Sequence, residues 1–223
     1  MAILLSDSFT EAGNVNLSAH TMNVGPGWTS FSGTWTVVGA TDVAQPPSGV
    51  VNSGASADAG AGNVGITCDI VIPATGSYAL GLGVRIVDID NNWTVVMEAD
   101  AGGGGGDTHR IDLIERNGGS NTIRRTATIT GAFLGNVVTL TVVTNGNDID
   151  CSISGNGSAT LTTWSTAHAN ASVNTSTLFG LYAYTGAPYV QSTFDNFLVT
   201  GAGGGGVVGN LNVGRSPAAI LQT

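Results

Sequence analysis

Between residues 80 and 129, apolar and polar positions alternate in four short runs: LGLGVRIV, WTVVMEA, HRIDLIE and IRRTATI. They are separated by DIDNN, by the glycine run GGGGGDT and by RNGGSN. The first run puts Leu80, Leu82, Val84 and Ile86 on one face and Gly81, Gly83 and Arg85 on the other. In the second, Trp93, Val95 and Met97 oppose Thr94, Val96 and Glu98. A period of two, broken by Asn, Asp and Gly clusters, predicts antiparallel strands with one buried face.

The same pattern predicts strands over 2–9, 35–38, 64–72, 178–185 and 190–200, with a shorter one at 49–52. Asn145–Gly146–Asn147 joins alternating runs at 136–144 and 148–154, the sequence mark of a hairpin. Residues 11–33 read as a long connection, and 155–177 as a polar loop around Trp164 and His168. At Gly201 the alternation stops. The sequence predicts a β-sandwich domain over 1–200, a Gly-rich linker over 201–206 and a C-terminal peptide over 207–223. That peptide is too short for a core, yet it carries Val207, Val208, Leu211, Val213, Ile220 and Leu221. It reads either as a disordered end or as an assembly peptide ordered by a partner or neighbouring subunit.

Composition narrows the classes. With 34 glycines, three glutamates and no lysine among 223 residues, strong helix formers are scarce, and many short strands are the economical solution. A formal net charge of −9, with arginines scattered apart from Arg124–Arg125, excludes a phosphate-tracking surface; no nucleic-acid partner is expected. No window approaches the ~18 apolar residues of a membrane span. The N-terminus MAILLSDSF lacks the basic and apolar regions of a signal peptide, so synthesis in the cytoplasm is expected. Cys68 and Cys151 fall in phase with apolar strand positions and read as buried thiols.

The order of elements resembles the concanavalin A-like lectin/glucanase sandwich in its laminin-G-like variety. The residues that carry this are DSF at the start, W-x-x-F-x-G-T-W-x-V at 28–37 and R-x-V-D-x-D-N-N-W at 85–93, followed by the turn region around Arg116, the TLTV…NGNDIDCSI hairpin and the closing FDNFLV. The resemblance implies an all-β jelly roll of two antiparallel sheets with a short extended C-terminal tail. Domains of this kind that start close to the initiating Met look like those of bacteriophage structural proteins.

The glucanases of that superfamily carry their carboxylates as E-x-D-x-E or E-x-D-x-x-E. Here Glu98-Ala99-Asp100 supplies the first half, but positions 102 and 103 are both glycine. Retaining hydrolysis needs two carboxyls about 5–5.5 Å apart, so no enzyme activity is expected. Asp88, Asp90 and Asn91, or Asp7 with Asp195, offer oxygen ligands without the 6–8 that calcium wants, and no metal or cofactor is assigned. Among the aromatic residues, Trp35 and Trp93 are in phase with the core. Trp28, Trp164 and Tyr189 fall in expected loops and are the candidates for stacking on a glycan.

Three functions compete. The favoured one is a non-enzymatic virion structural protein, a capsid decoration or a fibre- or tail-associated module. It would sit in the virion as a homo-oligomer, or with other virion subunits, held through its tail. The second is a carbohydrate-binding module for host or environmental glycans. The third is a degenerate hydrolase, against which the missing second Glu argues.

Overall fold

The computed structural model describes residues 1–50, 52–99, 109–185 and 192–201. The linker after Gly201 and the tail, including all the apolar residues from Val207 to Leu221 assigned to assembly, lie outside these, as do Asp100, Tyr189 and the glycine run 102–106.

The strands in chain order are β1 (Ile3–Asp7), β2 (Val15–Asn16), β3 (Thr29–Ser32), β4 (Thr36–Val38), β5 (Val43–Gln45) and β6 (Ser53–Asp58). Then come β7 (Val64–Val71), β8 (Ala79–Asp88), β9 (Asn91–Ala99), β10 (His109–Asn117), β11 (Ser120–Thr128) and β12 (Thr130–Gly131). The chain closes with β13 (Val137–Asn145), β14 (Asp148–Gly155), β15 (Gly157–Ser165), β16 (Leu178–Tyr184) and β17 (Thr193–Gly201). A 3-10 turn at Leu17–Ala19 and the short helix α1 (Ala171–Thr175) are the helical elements among the described residues.

These strands form the expected all-β sandwich of two antiparallel sheets. A ten-stranded sheet runs β12-β15-β14-β13-β7-β17-β5-β4-β2, with β1 also paired to β17. A seven-stranded sheet runs β11-β10-β9-β8-β16-β6-β3. The predicted meander is therefore one continuous half of the smaller sheet, and the Asn-Gly hairpin is β13–β14. β17 is shared along its length. Phe194 pairs with Ala44 of β5, while Phe197 to Thr200 pair with β1. Between the two halves Asn196 takes φ 51°, and its side-chain amide donates to Asp69 Oδ2 at 2.9 Å.

The core lies between the sheets. Ile66, Cys68 and Ile70 of β7, Leu140 and Val142 of β13, and Leu80, Leu82 and Val84 of β8 are all buried in it, with Trp35 and Trp93. Both cysteines are buried free thiols, and burial pushes the Cys151 thiol up to about 12.

Three local expectations are corrected. The 155–177 stretch is not a polar loop: Ala159 and Leu161 of β15 are buried, and α1 follows. A strand at 49–52 is replaced by β5 and β6 on either side. In β8 the alternation breaks after Val84, where pairing with β9 shifts register and Arg85 takes φ 52°. Arg85 turns inward, 2% exposed, and donates to the carbonyls of Gly62 and Gly146. Ile86 crosses to the other face and lies over Gly83, where a Cβ would strike its Cδ1.

Candidate functional site

Among the described residues two basic side chains are each set between two carboxylates, and they differ in what closes them. The first cluster forms around Asp7, at the end of β1. One carboxylate oxygen accepts from the Phe9 amide at 2.9 Å and from His20 Nε2 at 2.8 Å. The other accepts from Trp28 Nε1 at 2.6 Å. The second ring nitrogen of His20, Nδ1, lies 2.7 Å from Glu11 Oε1. Both ring nitrogens face carboxylates, an arrangement that suits the doubly protonated imidazolium. Burial alone would lower the His20 pKa, but the hydrogen bonds and charges of Asp7 and Glu11 outweigh it, and the pKa is raised above 6.5.

This places Trp28 differently from the sequence expectation. It is 4% exposed, its ring lying 5.0 Å from Phe197 and 5.9 Å from Phe9. It caps the core and offers no stacking face to a glycan. Trp164 lies on strand β15 rather than on a loop. It is half-buried, with the Arg125 guanidinium 4.9 Å above its ring, so a cation already takes the face that a sugar would need.

A polar clasp closes another end of the sandwich. His168 Nε2 donates to the carbonyls of Arg116 at 2.9 Å and Asn92 at 3.2 Å, and its Nδ1 accepts from the Asn170 amide at 3.0 Å. Glu115 accepts from the Ala169 amide at 2.7 Å and from Arg124. The acids weighed for calcium are likewise occupied. Asp88 Oδ1 accepts from the Asp90 amide and the Asn91 side chain, and Asp7 turns to His20 and Trp28 rather than toward Asp195. Among the described residues no group of three His, Cys, Asp or Glu has metal-binding geometry.

The second charged cluster lies on the outer face of the seven-stranded sheet. Register places Tyr184, Ala79, Glu98, Arg110 and Thr128 in one row across β16, β8, β9, β10 and β11. The adjoining row is Tyr182, Gly81, Val96, Asp112 and Thr126. Arg110 Nε donates to Asp112 Oδ2 at 2.8 Å, and its terminal nitrogen donates to Glu98. Thr126 Oγ1 donates to the other Asp112 oxygen. Asp112 is fully buried, whereas the side chains of Arg110 and Glu98 are 23% and 19% exposed. Burial raises the Asp112 pKa against the opposing pull of Arg110.

Ala79 and Gly81 separate the tyrosines from the charged triad by two strand spacings, about 10 Å, and both are buried. Ala79, Val96 and Tyr182 form an apolar cluster there, with Ile114 and Tyr184 packed on it. Burial pushes the Tyr182 hydroxyl up to about 12, and it donates to Asn52. Glu98, Tyr182 and Tyr184 are legible as a charged residue and aromatics on strands. Arg110, Asp112 and Thr126 go unnoticed in the sequence, because an alternating R-x-D looks like any solvated strand face. The available signal is that β9 carries apolar residues in both phases.

No family model matches the chain, and no curated protein matches it. Solved structures do. A carbohydrate-binding module, CBM66 from Bacillus subtilis, aligns with TM-score 0.54 and 16% identity over 76% of this chain and 92% of that one. The exoplasmic/lumenal domain of VIP36 in its Ca2+/Man-bound form gives TM-score 0.61 and 11% identity, over 93% and 94%. The GH43 protein BlXynB from Bacillus licheniformis gives 0.62 and 14% over 88% of this chain, which spans only 39% of that longer protein. At these identities the likeness is one of fold: the chain is a jelly-roll β-sandwich of the concanavalin A-like kind.

Proposed function

We propose that the chain is a non-enzymatic carbohydrate-binding module whose site is the outer face of the seven-stranded sheet. The observation that carries this reading is the Glu98–Arg110–Asp112 triad facing Tyr184 and Tyr182 across Ala79 and Gly81. An arginine whose fork is oriented by two carboxylates presents donors and acceptors in fixed directions, as recognition of sugar hydroxyls requires. The half-buried Tyr184 ring supplies apolar surface with a polar tip. The similar folds support the reading, one being a carbohydrate-binding module and another a domain in its Ca2+/Man-bound form.

Binding without turnover is proposed because, among the described residues, the acid beside Glu98 is Asp112, which is sealed under Arg110 and Thr126 and cannot serve as the second carboxyl that hydrolysis needs. The virion reading rests on residues 207–223, outside the described residues, and the similar folds favour the glycan reading over it.

The test is calorimetric titration of the full chain with a panel of neutral oligosaccharides, repeated with Arg110→Lys. Saturable binding that the variant loses supports the module. A chain that binds none of the panel, or an Arg110→Lys variant that binds as well as the wild type, overturns it.

A further inference from the structure

The outer face of the smaller sheet carries a cavity at Leu178, about 20 Å along β16 from Tyr184, six residues away. It has a volume of about 320 Å³ and is lined by Pro26, Thr29, Phe31, Ser56, Asp58 and Leu178, with Ile86 and Val87 behind them. Ser56 and Asp58 alternate with core-facing Ala55 and Ala57 on β6, so they share the face of Gly54 and Tyr182.

Phe31 explains the glycine beside it. Any Cβ at position 54 would run into its ring, so the chain keeps this position bare and the ring lies against the sheet, half-buried. β3 pairs irregularly with β6 between Ser30 and Ser32, the shift that brings Phe31 onto this face. The displaced Ile86 closes the other side, a consequence of the Arg85 irregularity in β8. Asp58 supplies the one charge of the lining. Its carboxylate accepts from Thr177 Oγ1 at 2.6 Å and from the Gly60 amide at 2.8 Å, and these bonds hold its pKa below 3.8.

We propose that this cavity is a second subsite, for a neutral sugar unit, on the face that carries the Arg110 triad. It rests on the glycan reading and extends it to an oligosaccharide long enough to occupy both ends of the face. The half-buried Phe31 ring takes the apolar side of a sugar, and the Thr29 and Ser56 hydroxyls with the Asp58 carboxylate take its hydroxyls. An ionised Asp58 in a lining without a basic residue, on a chain of net charge −9, repels uronic acids. Two subsites joined by one ligand make the second contact intramolecular, so affinity rises with chain length.

The experiment is calorimetry of the full chain with two-unit and six-unit mannose and glucose oligosaccharides, with hexagalacturonate as the acidic probe. The six-unit ligand is expected to bind at least about tenfold tighter than the two-unit one. Phe31→Ala should remove most of that gain while leaving two-unit binding in place, and hexagalacturonate should not bind. Phe31→Leu, which keeps apolar volume and loses the ring, should behave alike, and a thermal melt establishes that each variant is folded. Equal affinity for both lengths overturns the subsite, and so does a six-unit affinity that folded Phe31 variants leave unchanged while Arg110→Lys weakens it. Binding of hexagalacturonate as tight as that of neutral ligands overturns the assigned sugar class. If no neutral ligand binds the wild type at all, the glycan reading fails and the subsite with it.

Discussion

Asp7–His20–Glu11 and Glu98–Arg110–Asp112 are both cations clamped between two carboxylates, yet they belong to different parts of the protein's economy. The first is shut in by Trp28, Phe9 and Phe197; His20 and Asp7 are 3% and 1% exposed, and only Glu11 reaches solvent. Its hydrogen bonds tie the end of β1 to residues 13 and 21 positions along the chain, so it fastens the long N-terminal excursion to the sandwich. The second has one sealed carboxylate and two partly open members on a sheet face. A sealed cation satisfies its partners and ends there. The second cluster leaves Arg110 and Glu98 within reach of a ligand on the sheet face.

That contrast breaks first at Asp7. Asp7→Ala removes the acceptor for the Phe9 amide, for His20 Nε2 and for Trp28 Nε1 together, leaving buried donors unpaired. The expected cost is about 3–5 kcal/mol of stability, at about 1–3 kcal/mol for each unpaired group, read by denaturant unfolding. Glycan affinity, measured below the new melting point, should be unchanged. A loss under about 1 kcal/mol would mean that the cluster is not a fastening.

Arg110→Lys probes the other side. The ammonium keeps the charge between Glu98 and Asp112 and loses the planar fork. We expect a fall of about tenfold in glycan affinity, some 1.4 kcal/mol, with a smaller change in melting temperature than Asp7→Ala produces. The opposite ranking, a large melting shift with intact binding, would make the open triad another structural clamp.

The legibility of the two clusters in the sequence follows from the distances involved. Alternation is local, so the meander β8–β11 and the β13–β14 hairpin could be read from it. Trp28 could not be placed, because the acceptor that buries its indole is Asp7, 21 positions earlier, and the stretch between is Gly- and Asn-rich. β15 was hidden by threonine, which suits an exposed strand face and a loop equally. In β8, one residue at positive φ reversed the faces of Arg85 and Ile86, and no periodicity rule anticipates a bulge. The triad was invisible for a further reason: a charged residue on a strand is solvated by default, and only the register of β9 against β10 shows that Arg110 stands between Asp112 and a second acid, Glu98.

The smallest expected effect concerns protons. The His20 pKa is raised in the folded state, so its contribution to stability is complete below the unfolded value near 6.5. It declines as pH rises through the higher folded value. The melting temperature of the wild type should therefore fall, relative to His20→Gln, as pH rises above about 6.5. Asp112, also raised, acts with the same sign from 3.8 upward, and it is present in wild type and His20→Gln alike, so their difference isolates His20. Glu11→Gln sharpens the assignment. Glu11 is the 28%-exposed member, its bond screened by solvent and worth about 0–1 kcal/mol, and its loss should shrink the wild-type pH slope without abolishing it. A slope that survives His20→Gln undiminished would place the titration elsewhere and leave the sealed cluster indifferent to pH. A slope that disappears with His20 but is untouched by Glu11→Gln would assign the whole effect to Asp7, the partner that no solvent reaches.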